Sequence, residues 1–305
     1  DKEVHRITIG FDGNEIHQKT SYYDDGMIYQ KSLPYESGDT IYYQTYEYDE
    51  FNRVISQSGN YTDKIYTTTF DYDKYTVSTT NNKNQIKTTT KNPFGKITKI
   101  VEGDSTIEYT YDAKQRLVET TDDKNNKIIL EYDVFNNKIS QNDPDMGEWS
   151  FIYDGFGRLV HQTDAKKQIT TFTYNKLDQK TSQTDSSGTT YWTYGTKYAN
   201  KLSKMHHNRY EKEYFYDEKG DVIQIDIISD KSLPSQKIYS IYYGYDEYGR
   251  VINKTFPNNY VVENLYNSYG FQYGVKADGN EEYTILEQDA LGRVWSERTN
   301  NGLET

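Results

Sequence analysis

The sequence contains no cysteine and no long apolar run. With no cysteine among the 305 residues, disulfides and Cys-ligated zinc or iron–sulfur sites are excluded. No stretch of about 18 apolar residues occurs, so no helical membrane span is predicted. The first residues, DKEVHRITIG, resemble no secretory signal and lack an initiator Met. We therefore expect the chain to be a fragment of a larger protein.

Apolar and basic residues are also scarce, since only 34% of residues are apolar and the net charge is −12. Low hydrophobicity with excess charge often accompanies disorder. Tyrosine compensates here, with 33 residues against 11 Phe and 3 Trp. Tyr and Thr favour β-sheets, and a tyrosine can bury its ring while its hydroxyl stays hydrated or bonded. The composition therefore predicts a folded β-protein, and its acidic balance argues against a nucleic-acid partner.

A Tyr-Asp dipeptide, or a changed form of it, recurs along the whole chain. From Tyr111 to Tyr174 the step is 21 residues each time (132−111, 153−132, 174−153), and the step from Tyr216 to Tyr245 is 29. We place the insertion that lengthens this step in IISDKSLPSQKIYS. A period near 20 residues is typical of repeat architectures. The units begin at Tyr23, Tyr48, Tyr72, Lys91, Tyr111, Tyr132, Tyr153, Tyr174, Tyr194, Tyr216, Tyr245, Tyr266 and Gln288.

Each unit follows one pattern. Two aromatics two residues apart predict a strand with one aromatic face. An Asp or Asn follows, with Gly or Asn three residues later, which predicts a type I turn closed by a bulge. Arg or Lys and then an aliphatic residue begin the return strand. The motif residues singled out are Tyr48, Asp49, Arg53, Tyr111, Asp112, Arg116, Tyr153, Asp154, Gly157, Arg158, Tyr216, Asp217, Gly220, Tyr245, Asp246, Gly249 and Arg250.

A second turn signal follows about ten residues later in most units, as in TDDKNNK, NDPDMG and TDAKKQ. Each unit is therefore predicted to be strand, turn, strand, turn. We expect an all-β fold, a continuous antiparallel meander of about 26 short strands forming a single domain over residues 1–305. The units at Tyr72, Lys91, Tyr194 and Gln288 depart from the pattern.

These units resemble the YD repeats of Rhs proteins. The resemblance rests on YDGFGRLVHQTD, YDEYGRVINKT, YDAKQRLVETTD and YDEKGDVIQ, and it covers nearly the whole chain. The stretches NDPDMGEWSFIYDGFGRL and EQDALGRVWSERTNNGLET are similar to versions in the shell-forming B and C components of insecticidal toxin complexes. Teneurins use the same repeats.

The resemblance implies a β-strip that curls into part of a hollow shell around an unfolded or toxic polypeptide. It also implies partners, namely the remaining shell segments and the encapsulated toxin or effector, and a secreted or exported bacterial protein. The shell-closing region of the family, with its self-cleaving aspartates, has no counterpart here. No cleavage residue can therefore be assigned.

A catalytic role for the Tyr-Asp pair is unexpected, because an active site is one pocket and not a dozen equivalent turns. We expect Asp154 to cap its turn and Arg158 to pair across strands or cover aromatic rings. Adjacent His206 and His207 should point to opposite faces of a strand. The acidic stretch Asp143–Glu148 lacks a full calcium-loop spacing. We expect no cofactor and no metal.

Three functional hypotheses remain. The first is structural: the chain is wall of a YD-repeat shell that encapsulates and helps deliver a toxin or effector. The second is an extracellular binding or adhesion module whose exposed Tyr, Asn and Asp side chains contact cell-surface glycans or a receptor. The third is an enzyme such as a glycosidase, for which the acidic pair Asp122-Asp123 is one candidate. Because acids are abundant and nothing marks one pair, we expect no enzyme.

Overall fold

The computed structural model describes residues 3–61, 64–195, 200–208, 210–229 and 237–304. These residues form strands and turns only, which confirms the predicted all-β antiparallel meander. None of them belongs to a helix long and apolar enough to cross a membrane. The central part of the predicted insertion, residues 230–236, lies outside the described residues.

The first of two compact units comprises residues 1–131, 141–146 and 287–295. Its strands are β1 (Glu3–Ile9), β2 (Glu15–Tyr22), β3 (Ile28–Ser32), β4 (Tyr35–Glu36), β5 (Tyr43–Tyr48), β6 (Val54–Tyr61), β7 (Lys64–Asp73), β8 (Thr76–Thr80), β9 (Ile86–Lys91), β10 (Ile97–Glu102), β11 (Ser105–Tyr111) and β12 (Leu117–Asp122).

The second unit comprises residues 132–140, 147–286 and 296–305. Strands with residues in both units are β13 (Lys127–Tyr132), β14 (Lys138–Asp143), β27 (Asn280–Gln288) and β28 (Val294–Thr299). Its own strands are β15 (Gly147–Tyr153), β16 (Leu159–Thr163), β17 (Ile169–Tyr174), β18 (Lys180–Asp185), β19 (Gly188–Tyr194), β20 (Leu202–His207), β21 (Tyr210–Tyr216), β22 (Val222–Ser229), β23 (Ile238–Tyr245), β24 (Val251–Thr255), β25 (Val261–Tyr266) and β26 (Gln272–Ala277).

Strands that follow one another pair antiparallel from β5 to β13 and from β15 to β27. The N-terminal strands differ, because β2 pairs with β1 on one side and with both β3 and β4 on the other. The sequence pattern predicts about 26 strands, and β1 and β4 account for the two additional ones. Both lie outside the repeat pattern.

The hairpins are bulged at the Tyr-Asp position, as the turn signature predicts. In β15–β16 the register shifts between Ile152 and Tyr153, so that Tyr153 pairs with Leu159. The same shift recurs at Tyr48, Tyr111, Tyr174, Tyr194, Tyr216, Tyr245 and Tyr266. The extra residue that makes a bulge leaves the ladder locally incomplete.

Few side chains are fully buried among the described residues. The buried apolar residues are Tyr35, Ile228 and Ala277, and the buried polar ones are Ser32, Glu211 and Thr284. Most strand residues are only half-covered, so the apolar contribution of each is limited. Backbone ladders and the side chains of the turns must therefore carry a large share of the stability.

Candidate functional site

The repeated Tyr-Asp turn is the structural site that the sequence singles out, and Asp154 shows its construction. One carboxylate oxygen of Asp154 accepts the backbone N–H groups of Phe156 at 2.9 Å and Arg158 at 3.0 Å. The Asp154 N–H donates to the Arg158 carbonyl at 2.9 Å, and the Gly157 N–H donates to the Asp154 carbonyl at 3.0 Å. Gly157 has a φ of 78°, a conformation that glycine adopts without strain. The aspartate therefore closes the turn through its side chain and its backbone.

The arginine of the motif binds the aspartate of its own turn. Nε of Arg158 donates to the second carboxylate oxygen of Asp154 at 2.7 Å, and a terminal nitrogen lies 2.6 Å from the same oxygen. The same pair occurs at Asp49 and Arg53, Asp112 and Arg116, Asp246 and Arg250, and Asp289 and Arg293. Arg158 also makes the expected pairing across strands, because its other terminal nitrogen lies 2.9 Å from a carboxylate oxygen of Asp178 in the next turn.

The guanidinium also covers aromatic rings, including one in the next unit. The Arg158 guanidinium carbon lies 5.0 Å from the ring centre of Phe156 and 5.0 Å from that of Tyr174. Arg53 lies over Tyr72 at 4.4 Å, and Arg250 lies over Tyr266 at 4.4 Å. Such cation–π contacts add stability. Each arginine therefore connects the turn of one unit to the tyrosine of the following unit.

The hydroxyl of that tyrosine makes a further connection, here called the tyrosine link. The Tyr174 hydroxyl donates to the carbonyl oxygen of Leu159, the residue after Arg158, at 2.8 Å. The same link joins Tyr48 to Ile28, Tyr72 to Val54, Tyr111 to Ile97, Tyr153 to Lys138, Tyr194 to Lys180, Tyr216 to Leu202, Tyr245 to Val222 and Tyr266 to Val251.

The tyrosine link falls where the backbone ladder ends. Strand β16 begins at Leu159, but its pairing with β17 begins only at His161. The Leu159 carbonyl therefore has no partner in the β17 ladder, and the phenol of Tyr174 supplies the donor. A backbone carbonyl without a partner costs free energy when it is shielded from water. Phenylalanine could fill the same space but could not donate, which explains why the repeated residue is tyrosine.

The local environment shifts the pKa values of both motif residues. The Asp154 carboxylate accepts a hydrogen bond from the Arg158 side chain, and this lowers its pKa below the usual 3.8. The pKa of Asp49 is lowered by the same contact from Arg53. Burial raises the pKa values of Tyr153 and Tyr174. Both shifts favour the hydrogen-bonding forms, namely an ionised carboxylate and a neutral phenol.

The units that depart from the pattern use related geometry. Asn92 and Asp289 each accept the N–H groups of the residues two and four positions later, as Asp154 does in its turn. The unit of Tyr72 turns tightly, with Asp73 pairing directly with Thr76. At Tyr194 the Gly195 N–H donates to the Lys201 carbonyl, and residues 196–199 lie outside the described residues.

One motif turn lacks the arginine. Asp217 accepts the N–H of Asp221, which stands where the other four motif turns singled out in the sequence have Arg, and Gly220 has a φ of 88°. Lys201 from the preceding unit lies 5.8 Å from the ring centre of Tyr216. A cation from the unit before therefore still covers the tyrosine.

The other candidates from the sequence are turn or strand residues. Asp122 accepts the N–H groups of Lys124 and Asn126, and Asp143 accepts those of Asp145 and Met146. Each carboxylate thus closes its own turn. Among the described residues, no group of three or more His, Asp or Glu side chains could hold a metal ion.

One charged cluster has no signal in the sequence pattern. Glu211 is only 4% exposed, and its carboxylate lies 2.8 Å from Nζ of Lys204 and 3.2 Å from Nδ1 of His206. Lys204 also lies 3.1 Å from Glu213, and the hydrogen bond to Glu211 raises the pKa of Lys204. His207 instead contacts Tyr210, with ring centres 5.7 Å apart. The neighbouring histidines thus have different partners.

Comparison with known proteins places this geometry in context. Residues 153–190 match the RHS Repeat family, whereas no curated protein sequence matches the chain. Two crystal structures, of TcdB2-TccC3-Cdc42 and of TcdB2-TccC3, are each 14% identical and cover 100% of this chain, with TM-scores of 0.77 and 0.78. The Photorhabdus luminescens Tc holotoxin pore is 13% identical over 94% of this chain, with a TM-score of 0.71.

This chain spans 19–20% of the length of those solved chains. Residues 153–190 therefore match an RHS repeat, and the chain has the fold of these toxin-complex chains, which confirms the YD-repeat resemblance noted in the sequence.

Proposed function

We propose that this chain is part of the wall of a YD-repeat shell that encapsulates and helps deliver a toxin or effector polypeptide. The observation that carries the proposal is the tyrosine link, together with the cation over the same ring. Both connect neighbouring units, as Tyr174 does with Leu159 and Arg158. Stability in such an array comes from interfaces between neighbouring repeats. A wall needs this property, since it must stay continuous without a deep core.

The fold shared with the Tc toxin chains supports the same function, and the proposal gives this chain the corresponding partners. These are further shell segments and an enclosed polypeptide. The proposal places the protein outside the cell that produces it. It assigns no enzymatic step to the described residues, because the motif aspartates are committed to backbone N–H groups and arginines.

Protease protection tests the proposal in the natural full-length product that contains this chain. We expect segments outside the repeats to resist digestion until denaturant unfolds the repeats. A full-length variant with Tyr153→Phe and Tyr174→Phe should lose that protection at a lower denaturant concentration, because two tyrosine links are absent. Immediate digestion of every segment outside the repeats, at a protease concentration that leaves the repeats intact, would show that the strip encloses nothing.

A second candidate is binding of cell-surface glycans or a receptor. Exposed tyrosines on strands favour it, among them Tyr191, Tyr239 and Tyr242. Their rings could stack on sugar faces, and neighbouring amides and carboxylates could bond hydroxyls. A glycan array probed with the chain tests this function, with Tyr239→Ser plus Tyr242→Ser as the matched variant. Binding at background level for the unaltered chain would remove this candidate.

A further inference from the structure

Two histidines lie side by side on the adjacent strands β1 and β2. In the ladder between these strands, His5 lies opposite Lys19. His17 lies opposite Ile7, two residues further along, so both histidines project from the same face of the sheet. Nε2 of His5 is 3.0 Å from Nδ1 of His17, and the rings stack with centres 5.0 Å apart. The two residues are 12 positions apart in the sequence, so only the strand register brings them together.

The spacing of the two facing nitrogens fits a metal ion between them. Imidazole nitrogens that each lie about 2.0–2.1 Å from one ion, at an angle of about 90–110°, are about 2.8–3.4 Å apart. The observed 3.0 Å falls within this range. One of the two nitrogens must carry the proton of the present hydrogen bond, and an ion binds to deprotonated nitrogens. An ion can therefore replace that proton without a change in strand register.

The ring of His17 is oriented as a metal-binding histidine is. Its Nδ1 faces His5, while its Nε2 lies 3.7 Å from a carboxylate oxygen of Glu15, and only 13% of the side chain is exposed. The buried Tyr35 pairs with His17 between β4 and β2, and their ring centres are 5.5 Å apart. In metal sites, the second ring nitrogen of a histidine ligand commonly faces a carboxylate, which fixes the ring and raises its basicity. His17 is therefore preordered, with Nδ1 directed at the site.

The other histidine gives an ion access from solvent. Every residue of β1 is exposed, His5 among them. Lys19, opposite His5, lies 3.7 Å from a carboxylate oxygen of Glu3, which offsets the lysine charge. Glu15 lies on the same face as His17 and adds a second carboxylate. Two carboxylates against one ammonium favour a cation at this face of β1 and β2.

We propose that His5 and His17 form a binding site for a divalent transition-metal ion that prefers imidazole ligands, such as Zn²⁺ or Cu²⁺. Nε2 of His5 and Nδ1 of His17 are the two protein ligands. In the part of the chain that the structure describes, no group of three or more His, Asp or Glu side chains could hold a metal ion, so water completes the coordination. The proposal departs from the expectation of no metal, which rested on the adjacent pair His206-His207 and on the stretch Asp143–Glu148.

An ion at this site connects β1 to β2 and should hold the two strands together. It binds the paired strands and not the separated ones, so it lowers the population of the opened state by a factor of 1 + [ion]/Kd. At a free ion concentration of about 100 times Kd, openings that expose the amides of β1 and β2 should become about 100-fold rarer.

Calorimetric titration of the chain, without a histidine tag, with zinc chloride and separately with copper chloride measures the binding. We expect one ion per chain, tighter binding of Cu²⁺ than of Zn²⁺, and no binding of Mg²⁺, which prefers oxygen ligands. His5→Gln is the principal variant, because His5 is exposed and its replacement should leave the fold intact. It should weaken binding at least about tenfold, since the second imidazole on the same sheet acts at a high effective concentration. His17→Gln should have the same effect.

The matched control carries His161→Gln and His207→Gln, which remove histidines outside the site and keep His206 beside Glu211. It should bind the ion like the unaltered chain. Hydrogen exchange with and without Zn²⁺ supplies a second readout. Exchange should slow in β1 and β2 by up to about 100-fold, and exchange in β25 and β26 should not change. Circular dichroism verifies that every variant is folded.

Three results would overturn the proposal: no binding of either ion to the unaltered chain, undiminished binding by His5→Gln, or an equal loss of binding in the His161 and His207 control. The last result would show adventitious binding to surface histidines only. The site does not depend on the proposed wall function. If the ion binds as proposed and the protease experiment shows no protection, the metal site stands without the shell. If protection is found and no ion binds, the wall function stands and the metal site is refuted.

Discussion

Replacing Tyr174 by phenylalanine tests the tyrosine link directly. The substitution keeps the ring under Arg158, at 5.0 Å, and removes only the 2.8 Å hydrogen bond to the Leu159 carbonyl. A net hydrogen bond contributes about 1 kcal/mol. Because repeat arrays unfold locally, the loss should be confined to neighbouring strands. At RT of about 0.6 kcal/mol, it should raise amide exchange rates in β16, β17 and β18 by about fivefold.

Native-state hydrogen exchange followed by mass spectrometry measures this effect segment by segment. Tyr191→Phe is the matched control, since Tyr191 is 52% exposed on β19 and its substitution should leave exchange unchanged. Exchange in β16–β18 that matches the control would show that the phenol contributes nothing at this position. An equal increase in distant strands such as β25 and β26 would contradict the local character of the coupling.

The remaining predictions concern the turns and the buried charge. The folded-state pKa of Asp154 lies below its usual 3.8, so the stability that its carboxylate contributes is complete above about pH 4 and is lost as the pH falls further. Thermal unfolding between about pH 5 and 2.5 should show this loss. The Asp154→Asn variant should lose less stability over the same pH range. Gly157→Ala should destabilise by about 1–2 kcal/mol in denaturant titrations, because its φ is 78°, and Gly157→Asn should cost less. Lys204→Met should lower the free energy of unfolding by about 2 kcal/mol, because it leaves the Glu211 carboxylate buried without the lysine cation. The double variant Lys204→Met with Glu211→Gln should recover part of that loss. Equal stability of the single and double variants would contradict this account.

The repeat pattern was sufficient to predict the fold class. Aromatics two residues apart and Asp-x-x-Gly turns are local signals, and each acts within about ten residues of sequence. Their recurrence predicts hairpins, and the hairpin order then fixes an antiparallel meander. Strands β1 and β4 escaped the prediction because neither belongs to a repeat. Strand β4 is only Tyr35–Glu36, and it forms by pairing with the first half of β2.

The contacts between units were harder to predict. The sequence shows that a tyrosine recurs, but the partner of its hydroxyl is a backbone carbonyl in the preceding unit, and a carbonyl has no sequence signature. The arginine was expected to pair across strands or to cover rings. In the structure Arg158 does both, since it covers rings and pairs with Asp178 of the next unit, but it also binds the aspartate four residues earlier in its own turn, which was not predicted. The Glu211 cluster depends on register between β20 and β21, which no local motif encodes.

The tyrosine link also constrains how the length of such a chain can change. Its donor belongs to one unit and its acceptor to the unit before, so a deletion inside a unit separates a phenol from its carbonyl. Removing residues 154–174 instead would bring Asn175 directly after Tyr153, and the donors Tyr153 and Tyr194 would keep their acceptors, Lys138 and Lys180. The whole unit is therefore the natural step of insertion and loss, and lineages of this protein should differ in length by multiples of one two-strand repeat.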